Sequence, residues 1–194
     1  MTHPYRDVDL AADGEPEKEF NPGIAGRLPK KTTAAGALVR NSEGLILFLE
    51  AVYKPTLEIP GGVTEFDESP LDAVRREARE EIGIDIEIGS PLVVDWIPAS
   101  GPWFDGIMFI FDGGVLTDDQ IAQITLDATE ARRFQFMTLD EAAPRMRPSM
   151  VRRLSRAQQA LEQGAPIYAE FGRQPEPRGA AETVPAERNG SVGE

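Results

Sequence analysis

The sequence predicts an α/β/α sandwich, in which a mixed, curved sheet lies between two helices. Two long helices are indicated at residues 70–82 and 148–163, where apolar residues repeat at helical spacing. The first predicted strands, residues 31–40 and 45–49, are apolar on both of their faces. Strands of that kind are typical of a sheet that is covered on both sides. The fold class follows from these observations together.

Three parts are predicted along the chain. Residues 1–29 are polar and acidic, with scattered proline and glycine, and are interpreted as a flexible N-terminal arm. Residues 30–165 contain the periodic segments and are predicted to form the domain. Residues 166–194 become rich in Pro, Gly, Glu and Arg, which predicts a disordered C-terminal tail.

The first half of the domain begins with a hairpin, because the turn residues 41–44 join the first two strands. A short strand at residues 57–59 follows, and Pro60-Gly61-Gly62 is predicted to turn the chain sharply there. The first long helix is expected to begin at the N-cap Ser69 and to end at Gly83.

The second half is predicted to add strands, helices and a final long helix. The strands are expected at residues 84–88, 92–97, 107–111 and 133–137, with Asp112-Gly-Gly114 breaking the third of these. Short helices are expected after the N-caps Thr117 and Thr138. On the last helix, Arg152, Arg153 and Arg156 lie away from the apolar stripe, and a solvated face is favoured there over an anion-binding one.

Composition excludes several functional classes. The net charge of −13 argues against a protein that coats DNA or RNA. The chain has no cysteine, so disulfides and thiolate chemistry are excluded. No apolar run is long enough to span a membrane, and the N-terminus lacks the apolar stretch of a signal peptide, which predicts a cytoplasmic protein without membrane contact.

Acidic residues are concentrated at the first long helix, since residues 65–87 hold nine Asp and Glu against three Arg. Glu77, Glu80 and Glu81 share one side of that helix, at the border of its apolar stripe. They repel one another and lie at the helix end where the macrodipole disfavours negative charge. A bound cation would offset both penalties. The alternative is a solvated acidic helix face, which is the more common explanation of such a group of glutamates. Oxygen ligands favour Mg²⁺ or Mn²⁺.

The same stretch resembles the signature of the Nudix hydrolases, Gly-x5-Glu-x7-Arg-Glu-(apolar)-x-Glu-Glu-x-Gly-(apolar). The positions that match in register are Gly62, Glu68, Arg76, Glu77, Ala78, Glu80, Glu81, Gly83 and Ile84. Residues 57–61 resemble the strand that leads into the family motif. One difference from many members is Asp67, which stands in the variable x5 segment where glycine often precedes the first glutamate.

The resemblance implies a MutT-like pyrophosphohydrolase that cleaves a phosphoanhydride in a nucleoside di- or triphosphate derivative, with Mg²⁺ as cofactor and Mn²⁺ as the alternative. It implies that Glu77 and Glu81 are the main metal ligands, that Glu80 is a ligand or a base, and that the Gly61 carbonyl completes the coordination. Gly62, Glu68, Arg76 and Gly83 are then structural, and Arg76 is free to pair with Glu68.

A general base outside the motif is common in this family, and Glu130 is the first candidate because it precedes the strand at residues 133–137. Asp127 is the second candidate. Tyr53, Lys54, Trp103 and Phe104 are candidate substrate contacts, with core packing an open alternative for the Trp103-Phe104 pair. The partner is expected to be a small nucleotide, and a homodimer is left open.

Three rival functions are considered. A non-catalytic sensor on the same fold is disfavoured, because every glutamate of the motif is present. An isoprenoid-diphosphate isomerase usually uses a cysteine, which this chain lacks. A specialised nucleotide hydrolase of secondary metabolism stays open, since the sequence does not identify the base or the leaving group.

Overall fold

The computed structural model describes residues 6–12 and 23–175, which contain one mixed sheet of eight strands. The strands are β1 (Thr32–Arg40), β2 (Ile46–Ala51), β3 (Leu57–Glu58), β4 (Gly61–Val63), β5 (Pro91–Ile97), β6 (Gly106–Val115), β7 (Ala131–Met137) and β8 (Ile167–Glu170). The α-helices are α1 (Arg6–Ala12), α2 (Pro70–Ile82), α3 (Asp118–Ala122), α4 (Leu139–Ala142) and α5 (Pro148–Gln163). Two short 3₁₀ turns lie at Ala25–Arg27 and Ala143–Arg145.

The middle of the sheet is built on β1, which runs parallel to β6 along most of its length. On its other edge β1 pairs with β2 only at Arg40 and Ile46, and its first half pairs with β4 instead. β3 pairs with β2, β7 covers the far edge of β2, and β5 and β8 continue the sheet beyond β6. The divergence of β1 and β2 therefore gives β4 its place beside β1.

Two layers of helix confirm the predicted α/β/α sandwich. α2 packs on one face against β1, β4 and β6, and α5 packs on the other face against β5, β6 and β8. Each face has its own apolar cluster, with Val74, Ala78 and Ile82 of α2 in one and Leu154, Ala157 and Ala160 of α5 in the other. Both faces of β1 and β2 are thus buried, as the apolar runs predicted.

The helix boundaries are confirmed by their caps. The Ser69 hydroxyl accepts a hydrogen bond from the Asp72 amide (3.1 Å), and Gly83 ends α2 in the left-handed conformation. Thr117 and Thr138 each form a complete capping box, at the starts of α3 and α4. These ends depend on local chemistry, which is why the sequence predicts them well.

Three predicted strand features are wrong. Gly61 and Gly62 continue as β4 rather than turning, because they pair with Gly36 and Ala35 of β1. The segment 84–88 forms no strand. Ile86 and Ile88 are buried in the apolar cluster of the α2 face, but the ladder between β5 and β6 ends at Pro91 and Phe111, and Gly89 and Ser90 extend it no further than Asp112. β6 also continues to Val115, past the predicted break at Asp112.

Arg153 also departs from expectation, because its side chain is almost fully buried rather than part of a solvated face. Its guanidinium bonds to Asp95 of β5, with Nε to Oδ2 at 2.7 Å. Spacing alone placed this residue off the apolar stripe, and only the packing of α5 on β5 supplies the carboxylate that receives it.

The predicted outer segments contain regular structure where they are described. β8 lies inside the predicted tail, so the sheet extends past the predicted domain end at residue 165 to residue 170. The predicted N-terminal arm includes α1 and the turn at Ala25–Arg27. Residues 1–5, 13–22 and 176–194 lie outside the described structure. No helix within the described ranges is long and apolar enough to cross a membrane.

Candidate active site

The close pairing of β4 with β1 positions the first carboxylate. The Gly61 amide donates a hydrogen bond to Oε2 of Glu81, at 2.8 Å. Gly61 has a φ of 145°, and a Cβ there would lie 2.2 Å from the Ala35 carbonyl oxygen. Only glycine therefore allows the backbone to run this close to β1 while it holds the end of α2 through Glu81.

The next residue makes room for the second carboxylate. A Cβ on Gly62 would lie 2.3 Å from Oε1 of Glu77, so the carboxylate occupies the space that a side chain would fill. Glu77 is thus held over the β4 backbone, one residue along from the Gly61–Glu81 contact. Two neighbouring glycines on one short strand place two glutamates of α2 next to it.

Arg76 links the loop before α2 to the helix itself. Its Nε and Nη2 donate to the two oxygens of Glu68, at 2.9 and 3.0 Å, which is the predicted pair. Its Nη1 donates to Glu77 (2.9 Å) and to Glu80 (3.1 Å). Hydrogen bonding to Arg76 holds the pKa of Glu68 below its ordinary value. The arginine therefore fixes three motif glutamates from one guanidinium.

The pKa values separate the motif glutamates by environment. Burial raises the pKa of Glu81 to about 8, and the negative charges of Glu77 and Glu130 add to that rise, against the Gly61 amide and the charge of Lys54. Burial also raises the pKa of Glu77, opposed by the hydrogen bond from Arg76. Both carboxylates are therefore short of compensating positive charge where they lie.

Glu130 interacts electrostatically with this cluster. Burial is the largest cause of the raised pKa of Glu77 and Glu81, and the negative charge of Glu130 is a smaller one. Its carbonyl accepts a hydrogen bond from the Val52 amide, which fixes the backbone before β7. The second candidate, Asp127, is engaged in its own turn, where its carboxylate accepts from the Thr129 hydroxyl (2.7 Å) and amide (2.8 Å). The arrangement favours Glu130 over Asp127.

Two other motif residues lie at the periphery. The side chain of Glu80 is 58% exposed and its described contact is with Arg76. Asp67 has a φ of 64°, which explains why glycine often stands at this position in the family. Aspartate tolerates the left-handed conformation better than most residues, so the substitution keeps the loop geometry.

The residue types fit a divalent cation, although no three acidic or histidine side chains of the described residues converge as a preformed cage. One oxygen of Glu77 faces Arg76 and one oxygen of Glu81 faces Gly61. The second oxygen of each, Glu77 Oε2 and Glu81 Oε1, accepts no hydrogen bond from the described part of the chain. Hard oxygen donors in a partly buried acidic cluster suit Mg²⁺ or Mn²⁺.

The candidate substrate residues are only partly brought together. Lys54, Trp103 and Phe104 line one cavity of about 840 Å³, and Tyr53 instead contacts Lys54, whose Nζ lies 5.3 Å from its ring centroid. Trp103 and Phe104 are 69% and 70% exposed, so core packing does not explain them. The cavity also includes Arg152, whose helix face was expected to be solvated rather than anion-binding, and residues that the sequence did not single out: Glu58, Val63, Arg147 and Phe171.

Comparison with known proteins gives one family. The model of the NUDIX domain matches residues 30–157, about two thirds of the chain. A "MutT-like protein" of Streptomyces ambofaciens is 43% identical over 56 residues, which cover 29% of this chain. That match spans 36% of the relative's own length, so it concerns only about a third of that protein.

Solved structures show the same fold at low identity. A MutT protein from Methanosarcina mazei Go1 is 23% identical with a TM-score of 0.56, covering 71% of this chain and 98% of its own. A C. elegans Ap4A hydrolase in a binary complex is also 23% identical, with a TM-score of 0.52, covering 69% of this chain and 98% of its own. At this level of identity the likeness is one of fold.

Proposed function

The chain belongs to the Nudix family, and on that premise we propose that it hydrolyses a phosphoanhydride bond in a nucleoside di- or triphosphate derivative with the help of a divalent cation. The observation that carries the proposal is the pair formed by Glu77 and Glu81. Both are partly buried, both have a raised pKa, and each keeps one oxygen outside the hydrogen bonds of the described residues.

Glu77 and Glu81 would hold the cation, with the Gly61 carbonyl as a further oxygen donor and Glu80 at the exposed edge. A divalent cation there would neutralise the diphosphate and polarise its P–O bond. Arg76 keeps Glu77 and Glu80 in place, and the Gly61 amide keeps Glu81 in place. Mg²⁺ is the first choice and Mn²⁺ the second, because both prefer carboxylate oxygen.

Glu130 is proposed as the general base. Besides burial, which is the larger cause, the negative charge of Glu130 raises the pKa of Glu77 and of Glu81, so its carboxylate acts on the same cluster that would hold the cation. In the reaction, Glu130 takes a proton from water while the water oxygen forms a bond to phosphorus. The P–O bond of the anhydride breaks, and the two products leave as phosphate esters or as a monophosphate and pyrophosphate.

The substrate is proposed to be a small nucleotide, with Lys54 near the cleaved diphosphate. The charge of Lys54 lowers the pKa of Glu81, against the larger effect of burial, so the ammonium group contributes positive charge to the carboxylate cluster. Lys54 also lines the cavity that contains Trp103 and Phe104. A nucleotide could therefore place its diphosphate at the glutamates and its base in the cavity.

A nucleotide panel tests the proposal. Nucleoside triphosphates, dinucleoside polyphosphates and sugar nucleotides are incubated with Mg²⁺ or Mn²⁺, and the products are separated by chromatography. We expect cleavage of at least one class, and a loss of about 10³-fold or more in kcat for Glu81→Gln. Glu43→Gln, which changes an exposed glutamate in the β1–β2 turn, is the matched control.

Three outcomes would contradict the proposal. If the wild type cleaves nothing and binds no divalent cation, the hydrolase assignment fails. Binding of nucleotides without cleavage would instead favour the non-catalytic sensor. If cleavage persists at the wild-type rate in Glu81→Gln, the proposed role of that carboxylate fails.

A further inference from the structure

The cavity on the α5 face adjoins the carboxylate cluster at the end of β4. Val63, the last residue of β4, lines the cavity, and its carbonyl accepts a hydrogen bond from Arg76 Nη2 (3.3 Å). The same guanidinium donates from Nη1 to Glu77 (2.9 Å), and Lys54 lines the cavity as well. A molecule bound at the glutamates can thus continue into the cavity without leaving the protein surface.

Exposed aromatic side chains surround this cavity. Trp103 and Phe104 stand in the loop between β5 and β6, and Phe171, which is 42% exposed, follows β8. Large aromatic rings that are left this exposed around one concave surface are typical of a site that stacks on a planar ligand. The cavity therefore suits the base of a nucleotide.

The same walls carry positive charge in a chain whose net charge is −13. Lys54, Arg147, Arg152 and Arg153 line the cavity, against the single carboxylate of Glu58. Two of these charges are matched, since Arg153 bonds to Asp95 and Lys54 lies 3.6 Å from Glu58. Arg147 and Arg152 remain, both from the start of α5.

Neither of these two arginines meets a carboxylate in the described residues. Arg152 donates from Nε (3.1 Å) and Nη2 (2.8 Å) to the carbonyl of Phe171, a neutral acceptor. The side chain of Arg147 is exposed and donates no hydrogen bond within the described ranges. An arginine has five N–H donors, so most of the donors of this pair are available to a ligand.

One residue that lines the cavity, Phe171, lies outside the stretch that matches the family domain, which ends at residue 157. Phe171 belongs to the turn after β8, and that turn is held by the Gly172 amide, which donates to buried Asp95 (2.8 Å). The Phe171 carbonyl in turn holds the Arg152 guanidinium, 5.3 Å from the Phe171 ring centroid. Phe171 and the turn that holds it are therefore contributed by the chain beyond the stretch that matches the family domain.

We propose that this cavity binds the nucleoside end of the substrate, and that this end carries a phosphate in addition to the diphosphate that is cleaved. The aromatic side chains would stack on the base, and Arg147 and Arg152 would bind the additional phosphate. The diphosphate already has Lys54 and the cation of the proposed function, on which this inference rests. The two guanidinium groups of Arg147 and Arg152 are then left for a second anionic group.

Nucleotides that contain no anhydride test the inference without any cleavage. Each of the four ribonucleoside 5′-monophosphates is compared with its 2′,5′- and 3′,5′-bisphosphates by titration calorimetry in Mg²⁺. We expect at least one bisphosphate to bind about tenfold or more tightly than its monophosphate, because hydrogen bonds between charged partners are strong. The two isomers show which ribose oxygen carries the phosphate.

Variants identify the groups responsible. Arg147→Gln is expected to remove most of the preference for the bisphosphate, and it disturbs no internal hydrogen bond. Arg152→Lys keeps a positive charge but loses the two-donor contact with Phe171, so it should retain part of the preference. Arg156→Gln is the matched control on the same helix, because Arg156 contacts Gln159 and does not line the cavity; it should retain all of it.

The inference fails if no bisphosphate binds more tightly than its monophosphate, or if the preference is the same in Arg147→Gln as in the wild type. A complete lack of nucleotide binding overturns it as well. The proposed hydrolysis is judged separately by the nucleotide panel, to which diphosphate derivatives whose nucleoside carries a 2′- or 3′-phosphate are added so that it contains the substrate class inferred here. A bisphosphate preference without any cleavage would contradict the proposed function and support the cavity assignment. Cleavage without a bisphosphate preference would support the proposed function and contradict the cavity assignment.

Discussion

On the α5 face of the sheet a buried carboxylate is fully matched, whereas on the α2 face two partly buried carboxylates are not. Asp95 receives Arg153 Nε (2.7 Å) on one oxygen and the Gly172 amide (2.8 Å) on the other. Glu77 accepts a hydrogen bond from Arg76 on one oxygen and Glu81 accepts one from the Gly61 amide, and burial and neighbouring negative charges raise the pKa of both. All three carboxylates are at least partly buried, but only Asp95 has a hydrogen-bond donor for each of its two oxygens.

The difference separates a structural charge from a functional one. A matched ion pair resists any further ligand, and here it ties the turn after β8 to β5 and α5. An unmatched carboxylate pair lowers stability until a cation arrives, which is the condition expected of a metal site. Changes on the two faces should therefore affect different properties, and the four predictions below test that separation.

The largest effect on stability is expected from Arg153→Met. It leaves the Asp95 carboxylate buried without its partner, and we expect a loss of about 3–5 kcal/mol in the free energy of unfolding. Urea denaturation measures it. Asp95→Leu combined with Arg153→Met should be less damaging than Arg153→Met alone, and Arg156→Met should stay within about 0.5 kcal/mol of wild type. A loss below about 1 kcal/mol for Arg153→Met would remove the contrast between the faces.

Glu130→Gln should lower kcat by about 10²-fold, with little change in stability, because general-base catalysis contributes on that order. Asp127→Asn is the comparison, since Asp127 bonds to Thr129 in its own turn. It should affect stability more than kcat. Steady-state kinetics on a cleaved substrate decides the matter, and an unchanged kcat in Glu130→Gln would remove Glu130 from the mechanism.

The free energy of unfolding should depend on pH through Glu81 when metal is removed with EDTA. The folded-state pKa is about 8, above the ordinary 4.5, so the folded state holds the proton more tightly. Stability should therefore fall as pH rises between these values. At pH 8.5, Glu81→Gln should be more stable than wild type by about 2–4 kcal/mol, and at pH 5 nearly equal.

This pH effect has its own control and its own contrary result. Glu43→Gln should follow the wild-type curve at both pH values, since Glu43 is exposed. Added Mg²⁺ should restore wild-type stability at pH 8.5, because a cation favours the ionised carboxylate. A Glu81→Gln curve parallel to wild type in EDTA would mean that Glu81 is not short of compensating charge.

The smallest effect is expected from Gly62→Ala. The new Cβ would lie 2.3 Å from Oε1 of Glu77, so this flexible side chain has to move away from β4. We expect a decrease of about tenfold in kcat/KM and a change in stability within about 1 kcal/mol. Gly26→Ala, where a Cβ would meet nothing within 4 Å, is the control. A fully active Gly62→Ala would show that the position of Glu77 over β4 is unimportant.

Local signals in the sequence predicted most of the helices. The ends of α2 and α5 follow from Ser69, Gly83, Pro148 and Gly164, whose conformational preferences act within a few residues. The strands were predicted less well, because a strand needs a partner that the sequence does not specify. The residues 84–88 alternate as a strand does, yet they pair with none of the eight strands of the described sheet.

For the candidate site too, the sequence predicted the contacts within one segment and missed those between distant segments. The spacing from Gly62 to Ile84 was sufficient to predict that Glu68 pairs with Arg76, because the motif constrains a loop and one helix. The cavity could not be predicted, since Trp103, Arg147 and Phe171 come from three distant segments. Phe171 even lies in a region that its composition assigned to a tail.

The sequence by itself determined the layer architecture, the caps of the long helices and the acidic motif on α2, because these depend on periodicity and on contacts between near neighbours. Only the tertiary structure decided which charges are matched. Arg153 meets Asp95 across 58 residues of sequence, Gly172 reaches the same carboxylate across 77, and Gly61 reaches Glu81 across 20. The compensation of a buried charge depends on atoms that folding brings within hydrogen-bond distance, and no local pattern records them.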